Sequence, residues 1–281
     1  MHNRSKKFAR ILLLRLASSL RILCALCVSA LSFPLLSFSQ QPEIKIAAAA
    51  DLKFALTEIA AAYEKQSGTK VSLTFGSSGN FFAQIQNGAP FDLFFSADSD
   101  YPRTLEETGL IVPGSTYPYA VGRIVLWSRE DAKADPSKSG WKSLLDPSVQ
   151  KIAVANPSHA PYGRAALEAL KKSGYYDQVK DKLVFGENIS QAAQFVQSGN
   201  AQIGIIAYSW VLAPTFGAGH VWQVPQQQYS PLVQSAVVLK NSSNRDASLA
   251  FLAYIKTAPA QSVLEKFGFT HSAAKLDPVS Q

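Results

Sequence analysis

Cysteine is almost missing from this 281-residue chain, and the two present, Cys24 and Cys27, both fall in the first 39 residues. The same stretch has no Asp or Glu. It carries Arg4, Lys6, Lys7, Arg10, Arg15 and Arg21, then an apolar run over 22–36, then Ser37-Phe38-Ser39. A basic start, an apolar centre and small residues at −3 and −1 predict a secretory signal peptide over residues 1–39, cut after Ser39. A membrane anchor fits less well. Ser29, Ser32 and Pro34 interrupt the run, which falls short of the ~20 residues a spanning helix needs. Cys27 follows Cys24-Ala25-Leu26, which is not a convincing lipid-attachment pattern. With the leader removed no cysteine remains. That excludes disulfides, thiolate metal sites and cysteine nucleophiles together.

Excess charge is also lacking once the leader is set aside. The whole chain is formally +7, from 27 basic and 20 acidic residues; without the six basic leader residues it is 21 against 20, or +1. The basic character therefore belongs to the leader and predicts no nucleic-acid partner. Histidine is scarce. His159, His220 and His271 are the three beyond the leader, and no two have metal-ligand spacing. Gly76-Ser77-Ser78-Gly79-Asn80 fails the G-x-S-x-G nucleophile pattern at its last position. A secreted hydrolase is disfavoured, and no cofactor is implied. Internal repeats and low-complexity runs are absent.

The 242 residues beyond Ser39 are ample for a packed core. Short apolar strands (44–49, 71–75, 92–96) alternate with helical patterns (52–65, 81–86 and one around Leu105), a βαβαβ order that predicts a parallel sheet. In the first helix Leu52, Leu56, Ile59 and Tyr63 share a face, and Gly68 ends it. A second such unit runs through strands 121–127, 151–154, 183–185 and 203–207, with helices 162–172 and 189–197. The last section offers one strand, 235–239, and helices 246–256 and 259–266. That is too little for a third domain, so it is expected to return to the first. The predicted organisation is α/β: a first lobe over 40–120, a second over 121–224, and a return segment over 225–281. Gln226-Gln227-Gln228 lies where the chain crosses, and two such lobes imply a hinge and a central ligand cleft.

Four loops join a strand end to a helix start: Ala47-Ala48-Ala49-Ala50-Asp51, Phe75-Gly76-Ser77-Ser78-Gly79-Asn80, Ala160-Pro161-Tyr162-Gly163-Arg164 and Glu187-Asn188-Ile189-Ser190. A helix start leaves backbone N–H groups unpaired and carries partial positive charge. Four such starts aimed at one point would hold a small oxyanion without lysine or arginine. Ser77 is also a plain N-cap candidate, and Arg164 reads as a solvated helix residue.

In AAAADLKFAL, FGSSGNFFAQIQNGAPFDLFFSAD, KIAVANPSHAPYGRAALEAL and the closing KFGFT, the chain resembles the periplasmic molybdate-binding proteins, the solute receptors of bacterial molybdate ABC transporters. The resemblance spans about Glu43 to Thr270. It implies a type II periplasmic binding protein fold, a periplasmic location, and molybdate or tungstate held between the lobes by hydrogen bonds alone. It also implies a membrane permease as partner, with the receptor itself a monomer. Carried across residue by residue, the ligand positions are Ala50 and Asp51, Ser78, Tyr162 and Ile189, with Ser77 and Tyr208 as weaker matches. The metal enters only as an oxyanion; no bare cation site is implied. Asp51 departs from the family's serine or Thr-Asn pair. Its side chain is expected to turn back and cap the helix, leaving its N–H for the anion. Tyr162 is expected to add its hydroxyl. A receptor of the same fold for another oxyanion, such as sulfate, is the alternative. Molybdate and sulfate carry no proton at neutral pH, so a site made only of donors rejects protonated phosphate.

Overall fold

A computed structural model describes residues 42–271. The leader, its cleavage site, Cys24 and Cys27 lie outside the described residues. No helix among the described residues is long and apolar enough to cross a membrane.

Ten strands are formed, β1 Glu43–Ala49, β2 Lys70–Gly76, β3 Leu93–Ser96, β4 Tyr117–Gly122, β5 Ile124–Arg129, β6 Ile152–Ala155, β7 Leu183–Gly186, β8 Ile203–Ala207, β9 Gly219–Gln223 and β10 Leu232–Val238. The helices of eight or more residues are α1 Lys53–Ser67, α2 Ser78–Gln86, α3 Asp100–Glu107, α4 Pro161–Lys172, α5 Ile189–Gln197, α6 Arg245–Ile255 and α7 Ala258–Lys266. Strands covered on both faces are apolar throughout rather than alternating. β3 (LFFS), β6 (IAVA) and β8 (IGIIA) follow that rule and are buried at every position. α1 buries Ala55, Leu56, Ile59, Ala60 and Tyr63, and Gly68 stops it at φ 72° while its N–H bonds the Glu64 carbonyl.

The strands form two five-stranded sheets, ordered β2-β1-β3-β10-β4 and β7-β6-β8-β5-β9. Both are mixed, which corrects the parallel expectation. β1, β2 and β3 run parallel, whereas β10 is antiparallel to both β3 and β4. In the second sheet β6, β7 and β8 run parallel, and β5 is antiparallel to both β8 and β9. The reversed strand of each sheet is the one that enters from the other sheet. The apolar run 121–127, expected as one strand, is broken at Arg123, with β4 in the first sheet and β5 in the second. The chain crosses back over 224–231, and β10 then joins the first sheet.

Arg123 is tied down on three sides at this crossing. Its guanidinium donates to the Gly268 carbonyl at 2.8 and 3.1 Å and to Gln223 Oε1 at 3.2 Å, and it lies 4.8 Å from the Tyr208 ring. Its carbonyl accepts from the Tyr208 N–H. The closing KFGFT segment buries Phe267 and Phe269, and Thr270 bridges to Val121. The buried core is continuous from one sheet to the other.

Candidate functional site

The ends of β1, β2, β6 and β7 all face the gap between the lobes, so the four loops that follow meet there. They line a small cavity of about 10 Å³ with Ala49, Ala50, Asp51, Ser78, Tyr162 and Ile189 among its walls. The lining contains no lysine, arginine or histidine. Among the described residues no cluster of three or more His, Cys, Asp or Glu could hold a metal ion.

Each loop offers backbone N–H groups that its own helix leaves unpaired. In the first, a 3-10 turn over Ala50–Leu52 leads into α1, and the Lys53 N–H returns to the Ala50 carbonyl. The carbonyls of this loop are held from the other lobe. Ser209 Oγ donates to the Asp51 carbonyl at 2.7 Å, and Trp210 Nε1 donates to the Ala50 carbonyl at 3.1 Å. Fixing the Ala50 and Asp51 carbonyls also fixes the Asp51 and Leu52 N–H groups, which share their peptide planes. In the second loop Ser78 opens α2 and is 1% exposed. Its Oγ accepts from the Ala97 N–H at 3.0 Å, which leaves the hydroxyl proton available as a donor. In the third, Pro161 has no N–H, while Gly163 and Arg164 both donate to the Ala160 carbonyl, so the Tyr162 N–H is the first unpaired one of α4. In the fourth, Asn188 accepts from Ser190 and Gln191, and the N–H of Ile189 at the first position of α5 is left over.

The expectation that Asp51 caps its helix is overturned. Neither the 3-10 turn nor α1 has a side-chain cap. The carboxylate instead takes part in a buried network: Gln234 Nε2 donates to Asp51 Oδ2 at 2.6 Å and to the Tyr162 hydroxyl at 3.1 Å. The Tyr119 hydroxyl lies 2.7 Å from Gln234 Oε1 and 3.1 Å from the Ser96 carbonyl, and can donate to either. Asp51 is 1% exposed, and its Oδ1 has no partner. Burial outweighs the hydrogen bonds from Gln234, Tyr162 and the backbone N–H groups of Asp51 and Leu52, and pushes the carboxyl up to about 6. Burial, reinforced by the Asp51 charge, raises the Tyr119 and Tyr162 hydroxyls well above their usual value.

The expected contribution of the Tyr162 hydroxyl changes accordingly. The hydroxyl is held by Gln234 beside Asp51 and packs against Gly122, where a Cβ would overlap both it and Gln234 Nε2. Ser77 has another partner as well. Its Oγ donates to the His159 carbonyl at 2.5 Å and lies 2.9 Å from His159 Nδ1. Tyr208 does not line the cavity; it stacks on Arg123 at the crossing.

Arg164 is neither a ligand nor a solvated bystander. It pairs with Asp98 at 2.5 Å and reaches the Tyr101 hydroxyl at 3.3 Å, joining α4 in one lobe to the loop after β3 and to α3 in the other. Burial raises the Asp98 carboxyl even so, because the desolvation cost exceeds the attraction of the half-exposed guanidinium. The Gly79 N–H on the His159 carbonyl at 2.8 Å and Asn80 on Glu187 at 3.0 Å complete the bridge between lobes. Gln234, Arg164 and His159 were not among the expected functional residues. Arg164 stood within the third loop and His159 just before it, whereas Gln234 left a weaker trace, as part of the polar pair Gln234-Ser235 inside the apolar strand LVQSAVV.

A family model for bacterial extracellular solute-binding proteins matches residues 44–270. The chain is 40% identical to the molybdate-binding protein ModA of Rhodobacter capsulatus over 227 residues, covering 81% of this chain and 88% of that one. It is 40% identical to ModA of Azotobacter vinelandii over 234 residues, covering 82% and 91%. The solved periplasmic molybdate-binding protein of Azotobacter vinelandii superposes with a TM-score of 0.76 at 32% identity, covering 81% of this chain and 98% of that one.

Proposed function

Because this chain belongs to the family of bacterial extracellular solute-binding proteins, we propose that it captures molybdate, and with it tungstate, in the cavity between its lobes. It is a binding protein, not an enzyme. The observation that carries the reading is the meeting of four helix starts, two from each lobe, at one cavity with no cationic lining. The donors assigned to the anion are the N–H groups of Ala50, Asp51, Ser78, Tyr162 and Ile189, together with the Ser78 hydroxyl. All of them reach oxide oxygens, and nothing coordinates the metal centre itself. A hydrogen bond to a charged group is worth ~1.5–3 kcal/mol net. Six of them, less desolvation and closure costs, are enough for micromolar affinity, about 8 kcal/mol.

The anion touches both lobes and therefore favours the closed form over the open one. The closed receptor hands its cargo to a membrane permease of the ABC class, acting as a monomer in the periplasm. The anion is the cargo, so no cofactor takes part. Thermal unfolding with molybdate, tungstate, sulfate and phosphate tests the reading. Selective stabilisation by the first two is expected, since a ligand that binds only the native state raises stability by mass action. Equal shifts with sulfate would make the protein a general oxyanion receptor.

A further inference from the structure

Within the donor cage one group has the wrong sign. An ionised Asp51 beside a dianion is repulsive, and its Oδ1 can accept nothing from an oxyanion that carries no proton. Oδ2 is occupied by Gln234 Nε2 at 2.6 Å, while Oδ1 is buried without a partner among the described residues. Asp51 itself lines the cavity. An unpaired buried polar atom calls for an explanation, and the residue that carries this one stands in the cavity wall. With Oδ2 accepting from Gln234, a proton on the carboxyl sits on Oδ1, and Oδ1–H is then one more donor in a set otherwise made of donors.

We infer that Asp51 takes one proton from solvent when the oxyanion binds, so that the bound unit is the oxyanion plus one proton on Asp51 Oδ1. The inference rests on the oxyanion reading above. No bond within the anion changes; the proton comes from water and returns to water on release. The groups around Asp51 are consistent with this. Tyr119 from β4 and Tyr162 from α4 are neutral phenols raised well above their usual value, and Gln234 from β10 is uncharged; the bonds that Gln234, Tyr162 and the Asp51 and Leu52 N–H groups make to the carboxyl favour its ionised form but are outweighed by its burial. Asp98 is already engaged by Arg164, and His159 in the third loop is bonded to Ser77. The carboxyl's own elevation to about 6 means that little work is needed to protonate it near neutrality.

The test is the pH dependence of sodium molybdate binding to the processed protein and to Asp51→Asn. In the parent, linkage of one proton weakens binding by about tenfold per pH unit above ~6.5. In Asp51→Asn the side-chain amide supplies the same pattern, an oxygen for Gln234 and an N–H for the cavity, without titrating. Its profile should be flat. That variant keeps His159, so any slope it retains belongs to other groups, and the difference belongs to Asp51. Titration calorimetry of the parent in buffers of different ionisation enthalpy should show about one proton taken up per molybdate near pH 8. Uptake near zero with a flat parent profile would overturn the inference while leaving the oxyanion reading standing. No molybdate binding by either protein at any pH would overturn both.

Discussion

Ser78 and Asp51 carry the residue-scale chemistry in opposite ways. Ser78 has its oxygen fixed by the Ala97 N–H and its proton free, and it sits where an unpaired acceptor would be costly. Ser78→Ala is expected to weaken molybdate binding by ~1–3 kcal/mol, measured by calorimetry; unchanged affinity would remove the hydroxyl from the site. Asp51 is raised from 3.8 to about 6 in the folded chain. A carboxyl of that kind favours folding while protonated. Its contribution is complete below about pH 4 and is lost as pH rises through about 6. The ligand-free Asp51→Asn protein should therefore be more stable than its parent at about pH 8, by up to ~3 kcal/mol from the two-unit elevation. The difference should shrink toward zero by about pH 4, which urea unfolding at the two pH values would show.

At the scale of elements, the donor set depends on where helices begin rather than on side chains. This is why much of it could be read from sequence. Proline and asparagine at helix starts marked α4 and α5, and the bounds Ile189–Gln197 and Ile203–Ala207 are those expected. Strand direction was not legible, because an apolar run carries no sign of which way its neighbour runs, and β5 and β10 are reversed. The break at Arg123 was hidden by apolar residues on both sides, and β9 (GHVWQ) is short and half-buried, with little pattern of its own. The capping role given to Asp51 failed because its partners, Gln234 and Tyr162, are distant in sequence. Gly79 marks another element-level demand. A Cβ there would stand 2.7 Å from the His159 carbonyl and 2.6 Å from the Tyr101 hydroxyl, so the start of α2 can approach the other lobe only as glycine. Gly79→Ala should hold the lobes apart and weaken molybdate binding by about tenfold or more, since the competent closed state becomes rarer. The unfolding midpoint of the ligand-free protein should move far less than the molybdate-induced shift, and a scan with and without molybdate would separate the two.

For the whole molecule, the lobes meet through contacts that do not involve the ligand, among them Arg164 with Asp98, Ser77 and Gly79 with His159, and Asn80 with Glu187. These place part of the closing energy outside the cavity. The Arg164 side chain is 41% exposed, so solvent screens its pair, and the contribution to closure is about 1 kcal/mol or less. Arg164→Ala is accordingly expected to weaken molybdate binding no more than about fivefold, with the loss in the dissociation rate, as stopped-flow release would show. A far larger loss would mean that the guanidinium reaches the anion. The central claim is that helix starts from both lobes hold the oxyanion without a cation. An anomalous-scattering map from crystals grown with molybdate tests it most directly. One molybdenum peak is expected in the cavity walled by Ala50, Asp51, Ser78, Tyr162 and Ile189, with only uncharged N–H and O–H donors on its oxygens. A peak elsewhere, or one held by a lysine or arginine side chain, would contradict it.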